Sequence, residues 1–222
     1  MKQKILIFGT KDTAQLAKFY IENDAKYSST YEVAAFVVDA EYKDCEIFEG
    51  LPVIEFENVQ EIYPIQEYLF FAPMTGIKMN TVRENVFNKI KQKGYKFFSY
   101  ISSKATNFSN SIGENCFILE DNTLQPFVNI GNNVVMWSGN HIGHHSTIKD
   151  NVFFTSHIVL SGHCEVGENS WFGVNATIRD YTIIKPKTLI AMGSLLTKNT
   201  EENGFYMGSP AKKQDKLSIE VY

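Results

Sequence analysis

From Ile112 onward a large apolar residue returns at every sixth position: Ile112, Ile118, Leu124, Ile130, Met136, Ile142, Ile148, Phe154, Leu160, Val166, Phe172, Ile178, Ile184, Ile190 and Leu196. A helix repeats every 3.6 residues and an ordinary strand every 2, so neither explains the series. A six-residue period is the signature of a parallel β-helix. With the large apolar position as slot one, slot five carries mostly small residues, from Cys116 and Asn122 to Thr188 and Ser194, suited to point inward. Slot four is often Asn, Asp or Gly, as at Asn115, Asp121, Gly139, Asn169 and Gly193, and Pro126 and Pro186 fall in slot three. Asn, Asp and Gly adopt left-handed backbone at low cost and so turn corners. Three hexads close one triangular coil, so residues eighteen apart stack at strand spacing, about 4.8 Å.

Residues 1–98 have a different rhythm. Ile5 to Phe8 reads as a buried strand ending at Gly9. Asp12 or Thr13 is placed to cap a helix carrying Leu16, Phe19, Tyr20 and Ile21. Further strands are expected over Val33–Val38, Glu67–Ala72 and Lys96–Ile101. A second helix, with Val82, Val86 and Ile90 on one face, precedes Gly94. Strands alternating with helices predict a small Rossmann-like α/β domain with a parallel sheet. The expected organisation is therefore 1–98 as a nucleotide-type domain, 99–200 as the β-helix and 201–222 as a closing turn and tail. Gly9-Thr10-Lys11-Asp12-Thr13 sits where such a domain receives phosphate at a helix N-terminus. Asp39, ending the second strand, is placed to bond a ribose hydroxyl. The loop has only one of the glycines of a dinucleotide fingerprint, and Gly9 and Asp39 also read simply as a turn and a strand end.

The net charge of −4 argues against a nucleic-acid scaffold. No apolar run approaches the ~18 residues of a membrane span, and Met1-Lys2-Gln3-Lys4 leads straight into a strand, so a cytoplasmic protein without a membrane span is expected. Cys116 and Cys164 fall in inward slots on different faces of the coil, so they read as packed thiols, not as a disulfide, metal pair or nucleophile.

All five histidines lie in the β-helix. His145, His157 and His163 occupy slot four, where a turn role is a sufficient explanation because His is enriched at positive φ. His145 and His163 are eighteen apart and should stack. His144, in slot three, projects outward at a corner, and His141 faces outward from a flat side. Such a cluster suggests either a general base or a zinc site, as in the carbonic anhydrases of this fold. Zinc needs three converging ligands. With the histidines confined to a short stretch, no metal is expected.

The arrangement of an α/β domain before a hexapeptide β-helix resembles the bacterial sugar acyltransferases typified by the PglD and NeuD proteins. The specific pieces are Ile142-Gly143-His144-His145-Ser146-Thr147-Ile148, the stretch from Ile190 to Lys198, and Gly208-Ser209-Pro210-Ala211-Lys212. The resemblance implies a left-handed β-helix and a homotrimer. It also implies an acetyl-CoA-dependent N-acetyltransferase acting on a nucleotide-linked amino sugar for surface glycan synthesis. His144 matches the family's catalytic base. Coenzyme A is implied near Gly173, Ala191, Met192, Gly193, Gly208, Pro210 and Lys212, and the sugar nucleotide at Gly9–Thr13 and Asp39. Two departures stand out. The family's base usually has acidic neighbours, where this chain has Gly143 and His145, and a second family histidine is Phe153 here. Asn140, His141 and His163 are the candidates to orient His144, and with His145 they are counted among the substrate-facing residues. A sugar or sialic acid O-acetyltransferase and a non-catalytic nucleotide-sugar-binding scaffold are the alternatives.

Outward slot-six residues on one face are Phe117, Val135, Phe153, Trp171 and Leu189, with Leu119 and Trp137 beside them. A contiguous apolar face of this kind marks an interface. It is expected to be the contact between subunits, unless the chain's own amino-terminal domain or tail covers it.

Overall fold

A computed structural model describes residues 2–222. The first domain contains β1 Gln3–Phe8, α1 Asp12–Asn23, α2 Ala25–Ser28, β2 Tyr31–Val38, β3 Ile47–Phe48, β4 Leu51–Glu55, α3 Val59–Ile62, β5 Tyr68–Phe71, α4 Thr81–Gln92 and β6 Lys96–Phe97. The sheet order is β3-β4-β2-β1-β5-β6, parallel except for the β3–β4 edge. Ile5, Leu6 and Ile7 are fully buried, as a strand covered on both faces requires. From β1 the chain builds first toward β2 and β4, then crosses back to β5. The carboxyl ends of β1 and β5 thus flank the switch point where such sheets hold ligands.

Three local expectations are corrected. The first turn of α1 has no side-chain cap, and Lys11 is its cap residue, not Asp12 or Thr13. The stripe that α1 buries is Ala14, Ala17 and Ile21, while Phe19 is exposed. The alanines let the helix approach the sheet closely, which outweighs the larger apolar residues on its other side. The strand expected over Lys96–Ile101 is two: β6 completes the first sheet, and Tyr100–Ile101 opens the β-helix. The hairpin of β3 and β4 was not foreseen, because two-residue β3 and Pro52 give no alternating pattern.

The β-helix follows the hexad register. Its strands are two residues long and stack in three parallel sheets at an eighteen-residue interval, as in Phe117↔Val135, His141↔Val159 and Thr147↔Glu165. Slot-one residues from Ile118 to Leu196 and slot-five residues from Cys116 to Ser194 are all buried. Slot four is left-handed at every turn from Asn115 (φ 56°) to Gly193 (φ 66°). Cys45, Cys116 and Cys164 are free, and burial pushes the Cys116 thiol up to about 12.

The apolar outer face is not open for another subunit. Phe117, Leu119, Val135 and Phe153 share one core with Ile5, Ala17, Phe36 and Phe71 of the first domain, and Trp137 and Trp171 pack against it. The expectation of a subunit interface here is therefore corrected: the chain covers this face itself. The carboxy-terminal tail helps. After the hairpin Gly204–Gly208 and Ala211–Leu217, the chain returns so that the Tyr222 ring lies 4.3 Å from Trp171.

The adjoining corner anchors the domain. Asn115, Asn133 and Asn151 form a buried side-chain ladder with 2.8 Å bonds between successive coils. The backbone N–H of Ala72 donates to Asn115 Oδ1 at 2.8 Å. Arg83 of α4 is fully buried and donates to the carbonyls of Asn133 and Asn151, two successive coils. Among the described residues no helix is long and apolar enough to cross a membrane.

Candidate active site

Each corner of the prism has its own chemistry. The covered corner is asparagine-rich. The second holds Asp121, Gly139, His157, Asn175 and Gly193. The third holds Phe127, His145, His163 and Tyr181, all left-handed at φ 56–68°. Their rings form a column, with centroids 4.6 Å apart for Phe127–His145, 4.8 Å for His145–His163 and 4.6 Å for His163–Tyr181. The expected stacking of His145 on His163 is thus present, in a longer column than the histidines alone suggested.

His144 stands beside this column and is exposed. Its backbone N–H donates to Gln125 Oε1 at 2.9 Å, fixing the corner to the preceding coil. Its ring lies over Gly162, where a Cβ would come within 3.0 Å of Cε1 and 3.1 Å of Nε2. Gly162 thus provides the space that the imidazole uses. His144 Nδ1 and His145 Nδ1 are 3.0 Å apart, so one donates and one accepts according to tautomer. His163 is edge-on to His144, with centroids 5.0 Å apart. His145 therefore contacts His144 most directly, a role not foreseen from sequence. Gln125 was also missed; its position one coil earlier was the available signal. Asn140 is buried and spends its amide inside the coil: Nδ2 donates to the Trp137 carbonyl at 2.5 Å, and Oδ1 accepts from Ile158 N–H at 2.8 Å. Both bonds are internal to the coils, so its amide is not turned toward His144. His141 is half-buried on the flat side before the same corner.

In the first domain, Gly9 turns at φ 110° directly after β1, and its N–H bonds Val37 at 2.8 Å. Thr10 is buried, while Lys11 is exposed and pairs with Asp44 at 3.1 Å. Asp12 and Thr13 form the uncapped first turn of α1, whose N–H groups have no partner within the helix. Asp39 is ion-paired with Lys89, whose ammonium also lies 4.6 Å from the Phe8 ring centroid and 4.7 Å from that of Phe56. A ribose would share that carboxylate with Lys89.

Toward the carboxyl end, Gly173 is buried because a Cβ there would meet Met192 N at 2.4 Å; its smallness serves coil stacking. Ala191 is half-buried, Met192 is 74% exposed, and Gly193 is an open corner. Gly208, Pro210 and Lys212 are exposed around the tip of the terminal hairpin. A cavity of about 540 Å³ lies elsewhere, between α1 and the first coil, lined by Phe19, Tyr20, Asp24, Tyr100, Lys104 and Glu120. It contains no histidine. Burial and the Glu120 carboxylate push the Tyr20 hydroxyl up to about 12.

The placement of the domain matters as much as the corner. The histidine corner lies between the sheets containing His141–Ile142 and Thr147–Ile148. The amino-terminal domain covers the remaining sheet and the corner beside it. His144 is thus on the edge of the prism opposite its own chain's first domain.

Solved structures share this whole arrangement. The acetyltransferase domain of PglB from Neisseria gonorrhoeae superposes with a TM-score of 0.82 at 18% identity, over 96% of this chain and 100% of that one. The fold is shared with this acetyltransferase domain. A variant of perosamine N-acetyltransferase from Caulobacter crescentus, solved with CoA and GDP-perosamine, gives 0.82 at 18% identity over 96% of this chain and 97% of that one. WeeI from Acinetobacter baumannii gives 0.81 at 17%, over 95% and 99%. In sequence, the chain is 24% identical over 106 residues to an acyl-[acyl-carrier-protein]–UDP-N-acetylglucosamine O-acyltransferase of Sinorhizobium fredii. That match spans 45% of this chain and 39% of the relative's length. No family profile matches the chain.

Proposed function

We propose that this chain is an acetyl-CoA-dependent N-acetyltransferase acting on a nucleotide-linked amino sugar, with His144 as the general base. The observation that carries the reading is the exposed His144 ring, seated over Gly162 with Nδ1 turned to His145, on a fold shared with a sugar N-acetyltransferase solved with CoA and a nucleotide sugar. With His144 Nδ1–H donating to His145 Nδ1, Nε2 is unprotonated and is the nitrogen that accepts the amine proton. The amine attacks the thioester carbonyl, the C–S bond breaks, and CoA leaves as its thiol. General-base help of this kind is worth roughly 10²–10⁴ in rate. Coenzyme A lies along the last coils by exposed Met192 and Gly193 and reaches Lys212 at the hairpin tip. The sugar nucleotide binds the Gly9–Thr13 loop of the first domain.

The His144 corner lies on the prism edge opposite the first domain, which holds the Gly9–Thr13 loop, and this supports a closed homotrimer in which one subunit's domain serves a neighbour's corner. Acetyl-CoA as donor places the reaction in the cytoplasm. The test is CoA thiol release from acetyl-CoA with a panel of nucleotide-linked 3-amino and 4-amino sugars. Turnover with an amino sugar and its loss by at least about 10²-fold in His144→Ala are expected. Near-wild-type turnover in that variant removes His144 from the role. The O-acyltransferase match favours one second reading, transfer to a hydroxyl, and the same assay with hydroxy sugars separates the two.

A further inference from the structure

The histidine corner is built at a cost. Each non-glycine residue in left-handed backbone costs roughly 1–2 kcal/mol, and bulky rings are the least suited to it. Elsewhere the β-helix mostly places Asn, Asp or Gly at these turns; here Phe127, His145, His163 and Tyr181 follow one another. Strain of this kind persists where surrounding structure enforces it, and it clusters at functional sites. Here it sets His145 and His163 one strand spacing apart with His144 alongside. The ligand atoms of these three residues all lie within 4.8 Å of one another, the one such set of His, Cys, Asp or Glu donors among the described residues. In addition, two ring nitrogens, Nδ1 of His144 and Nδ1 of His145, face each other at 3.0 Å.

We propose that His144, His145 and His163 bind a divalent transition-metal ion of the zinc class, and that the bound ion takes His144 out of proton transfer. Three imidazoles with no carboxylate in the set select Zn²⁺, Ni²⁺ or Cu²⁺ over Mg²⁺ or Ca²⁺. Zn–N bonds of about 2.0–2.1 Å in a tetrahedron place nitrogens about 3.3 Å apart, close to the His144–His145 separation. His145 and His163 are parallel within 11°, so His163 must turn about its χ2 to aim its donor at the same point. The ring is exposed and free to do so, leaving its stack on Tyr181. Water completes the fourth position. No carboxylate or carbonyl bonds these rings from behind, so affinity is expected in the range of roughly micromolar, weaker than a structural zinc site. The second half of the proposal rests on the reading of His144 as the base; the first half does not.

The test is calorimetric titration of the full chain with Zn²⁺, alongside His145→Asn and His163→Asn, since Asn keeps the left-handed turn. One site per chain is expected, weakened at least about 10-fold in each variant and unchanged in His157→Asn. A visible spectrum of tetrahedral Co²⁺, lost in His163→Asn, is the second readout. Zn²⁺ binding as tight in His163→Asn as in wild type, or no site in the wild-type chain tighter than about 100 µM, overturns the metal site. In the acetyl-transfer assay, Zn²⁺ should inhibit over the same range in which it binds, and chelation should restore turnover. An active enzyme that binds Zn²⁺ without inhibition overturns the second half. Metal binding by a chain that transfers no acetyl group sustains the site and refutes the enzymatic reading instead.

Discussion

Arg83 offers a sharp test of how the two domains are held. Its guanidinium is fully buried and faces no carboxylate within bonding distance. It spans the carbonyls of Asn133 and Asn151, with Nη2 2.7 Å from the latter. The Phe153 ring centroid lies 5.7 Å away. Burial pushes the group down to about 9, so it is still charged at neutral pH. In Arg83→Met the chain length is kept and the two carbonyls lose their donor. Each stranded acceptor costs about 1–3 kcal/mol. Removing a desolvated cation returns part of this, and Nε, which is buried without a partner, contributes nothing to the pairing. The net loss is expected at roughly 2–4 kcal/mol. Arg83→Lys should recover little, because one ammonium cannot reach two coils as a planar fork can. Trp137 and Trp171 both sit at the covered face, so their emission during urea unfolding reports undocking of the first domain. A loss below about 1 kcal/mol in Arg83→Met, or full rescue by Lys, would refute the reasoning.

Further outcomes are expected. Burial alone would raise the Asp24 carboxyl, but the N–H groups of Ser103 and Lys26 and the Tyr100 hydroxyl outweigh it and hold it below the ordinary aspartate range. Its stabilisation is present above the unfolded value near about 3.9 and is lost as pH falls through the folded one, so the stability deficit of Asp24→Asn at pH 7 should shrink on acidification. If His145 orients the base, His145→Ala lowers kcat roughly 10- to 100-fold with KM for acetyl-CoA unchanged, and His145→Asp recovers most of it; equal losses in both variants would count against that role. Trp171→Glu should reduce stability yet leave the sedimentation coefficient of the folded protein unchanged, since its face is covered from within.

The β-helix was legible because its constraint is local and repeated. One apolar residue per hexad must fill the prism, one small residue must sit beside it, and one residue must turn left-handed. The hexad register alone therefore assigns Asn115 through Gly193 to the left-handed turns. The α1 face was misread because Ala14 and Ala17 carry little apolar weight in a periodicity, yet close packing favours them. The Asp39–Lys89 pair joins residues fifty apart, and nothing in either neighbourhood signals it. The apolar outer face was recognised correctly as a surface needing cover. A repeat shows which side chains point outward but not what meets them, and here the cover came from α1, β5 and Tyr222 of the same chain. At the histidine corner the eighteen-residue spacing exposed one stacked pair. Phe127 and Tyr181 extend it, but they looked like ordinary outliers in a slot dominated by asparagine and glycine.

The placement of the cover changes the argument for assembly. Had Trp171 and Phe153 been free, association would follow from hydrophobic area alone and would say nothing about catalysis. With that face filled by the chain's own domain, the case for the proposed second copy is geometric. His144 lies on the edge opposite the sheet that the first domain covers, with the packed β-helix core between them, so on the proposed reading a sugar nucleotide held by the Gly9 loop would be presented to a neighbour's His144. That presentation requires the proposed association of subunits. Turnover per chain should therefore fall toward zero as the protein is diluted below its assembly concentration, and it should recover on reconcentration. A monomer, verified by light scattering at the assay concentration, that turns over at the full rate would show that the sugar nucleotide reaches His144 without the opposed domain, and with that the assignment of the Gly9 loop to substrate binding would fall.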